Sequence, residues 1–238
     1  MRMALQALPE GWQRAVAVVA HPDDLEYGCA SAVARWTRQG KQVAYVLASS
    51  GEAGIEGQDP ARVGPLREAE ERASAALVGV TEVEFLGLPD GLIEPDLELR
   101  RRLAGAFRRL QPEMVLTMHF GLTWGESGNV NHADHRAVGV AVLDACRDAA
   151  NSWVFTDLGP RWAGVEAVYV AAAEEPTHFV DVGDTLEAGV ASLREHRQYL
   201  DGLGHEFDPA GFLRSMAEFA GAAAGCELAV LFRRYSVR

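Results

Sequence analysis

Two short stretches of the chain carry clusters of ionisable side chains. The first is HPDD at 21–24, which directly follows a run of small apolar residues, AVAVVA at 15–20. The second is NHADH at 131–135. A turn needs Gly, Asn or Asp and gains nothing from a histidine, so turn formation alone does not account for the first stretch. Together the two stretches hold three imidazoles and three carboxylates, the side chains from which metal-dependent hydrolases build their sites.

The chemistry that these side chains support is hydrolysis of an amide. Two imidazoles and one carboxylate that hold a divalent ion with an open position form a common catalytic arrangement for zinc. Such an ion lowers the pKa of a coordinated water to about 7 and polarises a carbonyl oxygen. The reaction then needs a base for that water and a group that stabilises the developing oxyanion. A second carboxylate and a third histidine are present for these roles, although spacing alone does not distinguish Asp23 from Asp24.

The second stretch also has the features of a helix start. Asn131 is a favourable N-cap residue, and Asp134 in the first turn suits the helix dipole. We expect Asn131 to serve as a cap alone. Capping does not explain His132 and His135, which at a spacing of three residues share one helix face.

Short apolar strands alternate with amphipathic helices along the chain. Strands are expected at 15–20, 42–49, 83–88, 113–119, 165–171, 179–182 and 226–232. Helices are expected from Gly28 to Gly40, from Pro65, over 99–110, from about His132 to Ala149, and from Asp184 to Gly202. This alternation predicts an α/β, Rossmann-like fold: an open, mostly parallel sheet with helices on both faces.

The predicted sheet brings the two polar stretches together. Ligands of such sheets bind outside the carboxyl ends of the strands, and in the common strand order the first and fourth strands are neighbours. HPDD follows the first strand, and the loop 120–131 that follows the fourth strand leads to HADH. The first turn has no GxGxxG motif, and its acidic residues would repel a pyrophosphate, so a dinucleotide is not expected.

Composition limits the remaining choices. With 238 residues the chain is expected to form one domain, 1–238, and its 48% hydrophobic content suits a globular protein. The net charge of −12, without a basic stripe, argues against a nucleic-acid partner, and no apolar run is long enough to span a membrane. The three cysteines are widely separated, which is typical of reduced thiols and predicts a cytoplasmic protein. The oligomeric state is left open.

These motifs resemble those of the zinc-dependent N-acetylglucosaminyl deacetylases known as the LmbE-like or PIG-L-like family. The matching stretches are AHPDDLEYGCA at 20–30, SGEAG at 50–54, LREAEERASAALVGV at 66–80, FLGLPDG at 85–91, HADHRAV at 132–138 and, more weakly, EHRQ at 195–198. The family contains deacetylases of mycothiol and bacillithiol biosynthesis and the glucosaminyl-phosphatidylinositol deacetylase. The resemblance implies one Zn²⁺ per chain, bound by His21, Asp24 and His135. Fe²⁺ or Co²⁺ would also fit these ligands.

The resemblance also implies roles for further residues. Asp23 would be the general base. His132 would stabilise the oxyanion as imidazolium or protonate the leaving amine, and Asp134 would orient or charge His132. Arg67 and Asp90 match positions that contact sugar hydroxyls, although Arg67 could equally be a solvated helix residue and Asp90 a simple turn residue.

Other polar and aromatic residues near the site are expected to be structural or peripheral. Trp124 in the loop 120–131 would stack on a sugar or an aromatic aglycone, or else anchor the loop. Glu52 lies at the edge of the site by strand position and is expected to be structural, and His119 is expected to be a wall residue rather than a metal ligand. The segment after His196 departs from the family pattern, which weakens a role for His196 and makes thiol-cofactor precursors less suitable as substrates.

The sequence therefore predicts a zinc-dependent hydrolase that removes an N-acetyl group from an N-acetylglucosamine-type small molecule. The alternative is an amidase that cleaves a larger acyl-glucosamine conjugate or natural-product intermediate, since the catalytic residues would be the same. A metallo-phosphoesterase would need a second metal site, for which only His119 and Asp90 are spare candidates. A non-catalytic sugar-binding protein would be expected to lack Asp23 or His132.

Overall fold

The computed structural model describes residues 4–124 and 128–237. Its strands are β1 (Gln6–Ala7), β2 (Arg14–Val19), β3 (Gln42–Leu47), β4 (Glu82–Phe85), β5 (Met114–Met118), β6 (Thr123–Trp124), β7 (Asn129–Val130), β8 (Ala167–Ala171), β9 (His178–Asp181) and β10 (Ala229–Ser236). Its helices are α1 (Asp24–Gly28), α2 (Ala30–Arg38), α3 (Pro60–Leu77), α4 (Leu97–Leu110), α5 (Ala133–Ala150), α6 (Leu186–Arg194), α7 (Arg197–Gly202) and α8 (Pro209–Ala224).

The main sheet has eight strands in the order β1-β9-β10-β8-β5-β2-β3-β4. All neighbouring pairs are parallel except those of β10, which runs antiparallel to both β8 and β9. The predicted fold class is therefore confirmed. The first and fourth long strands, β2 and β5, are neighbours, with Ala15 opposite Met114 and Ala17 opposite Leu116. As a result, HPDD and the loop that leads to HADH leave the sheet at the same edge.

Each face of the sheet is covered by its own set of helices. Alternate residues of β2 point to opposite faces, as the period of two in a strand requires. Ala17 and Val19 join the core beneath α2, α6 and α8, whereas Val16 and Val18 join the core beneath α4 and α5. The site edge of β2 is thus fixed by packing on both sides.

Several predicted boundaries were wrong. Helix α3 begins at Pro60 rather than at Pro65, because Asp59 caps it by accepting a hydrogen bond from Ala61 N at 3.0 Å. Pro65 is the sixth residue of the helix and has no N–H to donate to the carbonyl of Ala61, so α3 continues past one missing hydrogen bond.

The helix predicted from Asp184 to Gly202 is two helices, α6 and α7, separated at Glu195 and His196. The N-cap of α6 is Thr185, which makes no side-chain capping bond, so the helix does not begin at Asp184 as predicted. Helix α8 and strand β1 were not predicted. The hairpin β6–β7 occupies part of the predicted loop 120–131, of which residues 125–127 lie outside the described part.

Candidate active site

The turn after β2 is closed by Asp24. Its Oδ2 atom accepts hydrogen bonds from the backbone N–H groups of Ala20 and His21, at 3.1 and 3.0 Å. The preceding residue, Asp23, has φ of 93°, in the left-handed region that costs an L-residue roughly 1–2 kcal/mol. Both carboxylates are buried. The turn therefore places two carboxylates together at the cost of local backbone strain, which is a feature of functional sites.

The imidazole of His21 is surrounded by three carboxylates. Its Nε2 atom lies 3.0 Å from Asp90 Oδ1 and 3.2 Å from Asp134 Oδ2, while its Nδ1 atom lies 3.7 Å from Asp24 Oδ2. Burial alone would lower the pKa of His21, but hydrogen bonds to Asp134 and Asp90 outweigh burial and raise this pKa to about 10. Three buried carboxylates around one imidazole ring favour the binding of a cation.

His135 approaches the same carboxylate from α5. Its Nε2 atom lies 2.9 Å from Asp24 Oδ1, and its Nδ1 atom lies 2.9 Å from Asn131 Oδ1. Burial would raise the pKa of Asp24, but the neighbouring His135 and His21 rings hold it well below its usual range. Asp24 is therefore ionised and lies between two imidazoles.

The donor set of His21, Asp24 and His135 fits a divalent metal ion. One ligand atom from each residue lies within 4.8 Å of the other two. His135 Nε2 is buried and, despite its short distance to Asp24, has no aligned hydrogen-bond partner among the described residues. Because His21 directs Nε2 to Asp90 and Asp134, its Nδ1 atom is the one that faces Asp24. A histidine whose second nitrogen bonds a carboxylate is a typical metal ligand.

Asp23 is held by residues of α3. Arg67 donates from Nη2 to Asp23 Oδ2 at 3.1 Å and to Pro22 O at 2.6 Å, and from Nη1 to Gly51 O at 2.9 Å. The backbone N–H of Asp23 donates to Glu71 Oε2 at 3.2 Å. Burial raises the pKa of Asp23 to about 6, although Arg67 opposes the rise. A pKa near the operating pH is suited to a general base.

The hydrogen bonds of the Arg67 guanidinium go to other groups of the protein, namely Gly51 O, Pro22 O and Asp23. Arg67 is 2% exposed, and its guanidinium carbon lies 4.4 Å from the ring centroid of Tyr199. The guanidinium does line the cleft, so contact with a sugar stays a prediction. What the geometry supports is a role in positioning Asp23.

His132 lies at the start of α5, with its ring centroid 5.0 Å from that of His135 and 5.8 Å from that of His21. Burial and the charge of these two histidines lower the pKa of His132, which favours the neutral ring over the imidazolium. The predicted contact of His132 with Asp134 does not form. Asp134 instead accepts from the backbone N–H groups of Gly91 and Ile93, at 2.7 and 3.2 Å, and contacts His21.

The remaining predicted residues line the wall of the site. Trp124 meets the His135 ring edge-on, with centroids 5.8 Å apart, and lies 5.3 Å from the His119 ring. His119 contacts Thr123 O through Nε2 at 2.8 Å, as expected for a wall residue. Asp90 accepts from Ala53 N at 2.9 Å as well as contacting His21, which places it beside the predicted metal ligands.

Two functional features were missed by the sequence reasoning. Asn131 is not the N-cap of α5, as was predicted, since His132 holds that position; its Oδ1 atom instead accepts from the backbone N–H of His132 and contacts His135 Nδ1. The spacing of four residues between Asn131 and His135 could have indicated this contact, because residues four apart are neighbours at a helix surface. The second feature is a fully buried group beneath Asp23, in which His196 Nε2 lies 3.5 Å from Glu26 Oε2 and 3.7 Å from Glu71 Oε2. Burial would lower the pKa of His196, but Glu26 and Glu71 raise it to about 9.

We expect Asn131→Ala to weaken the binding of a divalent metal ion by about 10–100-fold, the usual effect of removing a group that orients a metal-binding histidine. The change frees His135 Nδ1, so that the ring loses its fixed orientation towards Asp24. Competition with a chromophoric chelator measures the affinity. Asn151→Ala, at the C-cap of α5, is the matched control and should leave it unchanged. An unchanged affinity in Asn131→Ala would contradict the assigned orientation.

The site opens into a cleft of about 730 Å³. At one end the cleft is lined by the predicted metal ligands together with Asp23, Arg67, Asp90, Trp124 and His132. Its other end is apolar and is lined by residues of α8 and β10. A cleft of this size accommodates a ligand as large as a typical drug molecule.

Residues 16–146 match the family described as PIG-L, GlcNAc-PI de-N-acetylase, and because this match spans more than half of the sequence, the chain belongs to that family. The predicted resemblance is thereby confirmed, and so is the prediction of a deacetylase-type hydrolase. A diacetylchitobiose deacetylase of Thermococcus kodakarensis is 26% identical over 221 residues, covering 90% of this chain and 79% of the relative.

Two solved structures share the fold. The N,N'-diacetylchitobiose deacetylase of Pyrococcus horikoshii, complexed with its inhibitor MPG, has a TM-score of 0.84 at 24% identity, covering 96% of this chain and 85% of that one. GalB of Pseudomonas putida, the 4-carboxy-2-hydroxymuconate hydratase, has a TM-score of 0.75 at 22% identity, covering 95% and 97%. The fold is thus shared by proteins of different activity. The activity of this chain therefore has to be inferred from the residues of its site and not from its fold.

Among the described residues, no helix combines the length and the apolar character that crossing a membrane requires.

Proposed function

We propose that the protein is a metal-dependent deacetylase that releases acetate from the N-acetyl group of an N-acetylglucosamine-type small molecule. The observation that carries the proposal is the convergence of His21, Asp24 and His135, with Asp23 and His132 beside them, at one edge of the sheet in a chain of this family. The relatives named for chitobiose deacetylation support the amino-sugar substrate.

The metal site is proposed to hold one Zn²⁺ per chain, because a His₂Asp set with open positions suits zinc. When bound, such an ion polarises the amide carbonyl and makes a water molecule more acidic. The buried carboxylates of Asp90 and Asp134 keep His21 oriented through its Nε2 atom.

The protein residues then carry the proton transfers. Asp23 accepts a proton from the attacking water, and Arg67 and Glu71 fix the position of Asp23 from its side chain and backbone. His132 is proposed to donate its ring N–H to the oxyanion as a neutral imidazole, in keeping with its lowered pKa. The proton that Asp23 took from the water is then transferred to the amine as it leaves, so that the C–N bond breaks and acetate and the free amino sugar are released.

The hydratase activity of the structural neighbour is less consistent with the charges in this cleft. A carboxylated muconate suits a lining rich in arginine or lysine, whereas the described lining residues include one arginine, Arg67, which is already bound to Asp23, and no lysine. A two-metal phosphoesterase is disfavoured too. Among the described residues, the second group of possible ligands at this edge, His21, Asp90 and Asp134, shares His21 with the first group, and the third, Glu26, Glu71 and His196, is fully buried. A neutral acetylated sugar suits the site better.

The chain is proposed to form one domain, because the strands beyond the family match, β8 to β10, belong to the same sheet as β2 to β5. We also propose that it acts in the cytoplasm. The free thiols of Cys29, Cys146 and Cys226 support a reducing compartment.

The proposal is tested by incubating zinc-loaded protein with N-acetylglucosamine, diacetylchitobiose, glucosaminyl-inositol and glucosaminyl-malate in their N-acetylated forms. We expect acetate and free amine to appear in equal amounts from at least one of them. A muconate-type dienoate, followed by its ultraviolet absorbance, is included for comparison. Loss of that absorbance without acetate release from any sugar would replace the deacetylase proposal by a hydratase.

A further inference from the structure

The cleft continues past the metal-binding side chains as an apolar groove. We call it the α8 groove and define it by Phe212, Met216 and Phe219 of α8, Val230 and Leu231 of β10, and Ala172 after β8. Met118 and Gly28 form the floor that joins the groove to the site, and a Cβ atom at Gly28 would overlap the Met118 side chain. The groove and the metal site are therefore parts of one continuous cleft.

The α8 groove exposes large apolar side chains on successive turns of one helix face. Phe212, Met216 and Phe219 are 38, 51 and 74% exposed. A contiguous apolar patch at the surface indicates a binding site, since its exposure to water is unfavourable. The described lining of the groove is apolar, in contrast to the carboxylates and imidazoles at the other end of the cleft.

The strand order gives the direction in which a substrate lies. On one side of the metal ligands, at the loops that follow β3 and β4, the cleft lining includes the carboxylate of Asp90, and this polar side suits the sugar. The α8 groove lies over the ends of β5 and β8 and the start of β10, on the other side. With the amide carbon at the metal ligands, the acyl carbon chain leads away from the sugar and into the groove.

We propose that the α8 groove binds the acyl chain of the amide, so that the enzyme hydrolyses amino sugars carrying an apolar N-acyl group longer than acetyl. The proposal rests on the deacetylase function above and uses the same chemistry. The water oxygen bonds to the acyl carbon, the C–N bond breaks, and the amine leaves with a proton while the longer carboxylate is released. An acetyl group would leave the groove empty.

The test compares kcat/KM for N-acetyl-, N-butanoyl-, N-hexanoyl- and N-octanoylglucosamine, measured by release of glucosamine below the concentration at which the longer substrates aggregate. Each fully buried methylene is expected to raise kcat/KM about threefold to fourfold. Since some methylenes stay partly exposed, we expect at least a tenfold rise from acetyl to octanoyl. The octyl glycoside of N-acetylglucosamine is measured alongside them.

Charge placed in the groove should remove the chain-length effect. Met216→Glu is expected to abolish most of the rise, and Ser215→Glu, an exposed position on the same helix outside the cleft lining, is the matched control that should retain it. Phe219→Glu is the second variant if Met216→Glu does not fold. Retention of the full rise in both groove variants would overturn the proposal.

Other outcomes separate this proposal from the proposed function. Acetate release with a flat chain-length profile would overturn the acyl groove and leave the deacetylase intact, whereas no release from any substrate would overturn both. A gain for the octyl glycoside alone would assign the groove to the aglycone and overturn the acyl assignment. Sedimentation that shows an oligomer dissociated by Met216→Glu would assign the face to a second copy of the chain and likewise overturn it.

Discussion

Asp23→Asn is expected to lower kcat for acetate release by about 10²–10⁴, the range for removal of a general base, while the zinc affinity stays within a few fold. The amide keeps the size of the side chain and the donor from Arg67, but it does not accept a proton from water. Asp23 is not one of the three predicted ligands, so zinc binding should survive. Steady-state kinetics and a chelator-competition titration on the same preparation measure both quantities.

Asp59→Asn provides the control for an aspartate-to-asparagine change. Asp59 caps α3 away from the site, and asparagine caps as well as aspartate does, so activity and stability should be unaffected. Asp23→Asn protein with at least half of the wild-type kcat would exclude Asp23 as the base. Loss of zinc from this variant would instead make Asp23 a ligand.

Arg67→Ala is expected to lower the free energy of unfolding by about 3–5 kcal/mol, the usual cost of removing one partner of a buried ion pair. Arg67 and Asp23 are 2 and 5% exposed, and the guanidinium also satisfies the carbonyl oxygens of Pro22 and Gly51. Its removal leaves a carboxylate and two backbone acceptors without these donors. Urea denaturation followed by circular dichroism measures the change.

Arg109→Ala is the matched surface control. Arg109 pairs with Glu84, but both side chains are exposed to solvent, so the loss is expected to be about 1 kcal/mol or less. If Arg67→Ala were no more destabilised than Arg109→Ala, the assignment of Arg67 as the residue that holds the Asp23 turn would be wrong.

The elements of the fold that could be predicted from the sequence are those whose apolar residues recur with the period of a strand or a helix. The strands β2 and β5 are apolar runs apart from Arg14 at the start of β2 and Thr117 in β5, and their adjacency follows from the usual strand order of such sheets. Helix boundaries were less predictable, because the capping bond of Asp59 outweighs the preference of Pro65 for a helix start. Helix α8 was not predicted because its exposed face carries Phe212, Met216 and Phe219, which obscure the amphipathic period.

The sequence allowed us to predict which side chains lie close together at this edge of the sheet. It was less informative about the contacts that they make with one another. His21, Asp24 and His135 do converge, as motif spacing and the resemblance implied. That Asp134 contacts His21 rather than His132 depends on the loop at Gly91, whose backbone N–H fixes the carboxylate. Such a contact joins segments distant in the sequence.

The groups beneath Asp23 illustrate the same difficulty. Glu71 reads as one of several acidic residues on α3, yet it is fully buried and accepts from the backbone of Asp23. His196 was discounted because its neighbours depart from the family pattern, although the ring itself lies between Glu26 and Glu71. Local patterns do not reveal which face of a charged helix packs against another segment.

The central claim is that His21, Asp24 and His135 hold one catalytic ion, and metal removal followed by titration tests it most directly. Protein stripped with a chelator should release no acetate from diacetylchitobiose. Added zinc should restore release in proportion, up to one equivalent per chain, and His135→Ala should neither bind that equivalent tightly nor regain activity. Full acetate release by the stripped protein, with no ion bound, would contradict the account.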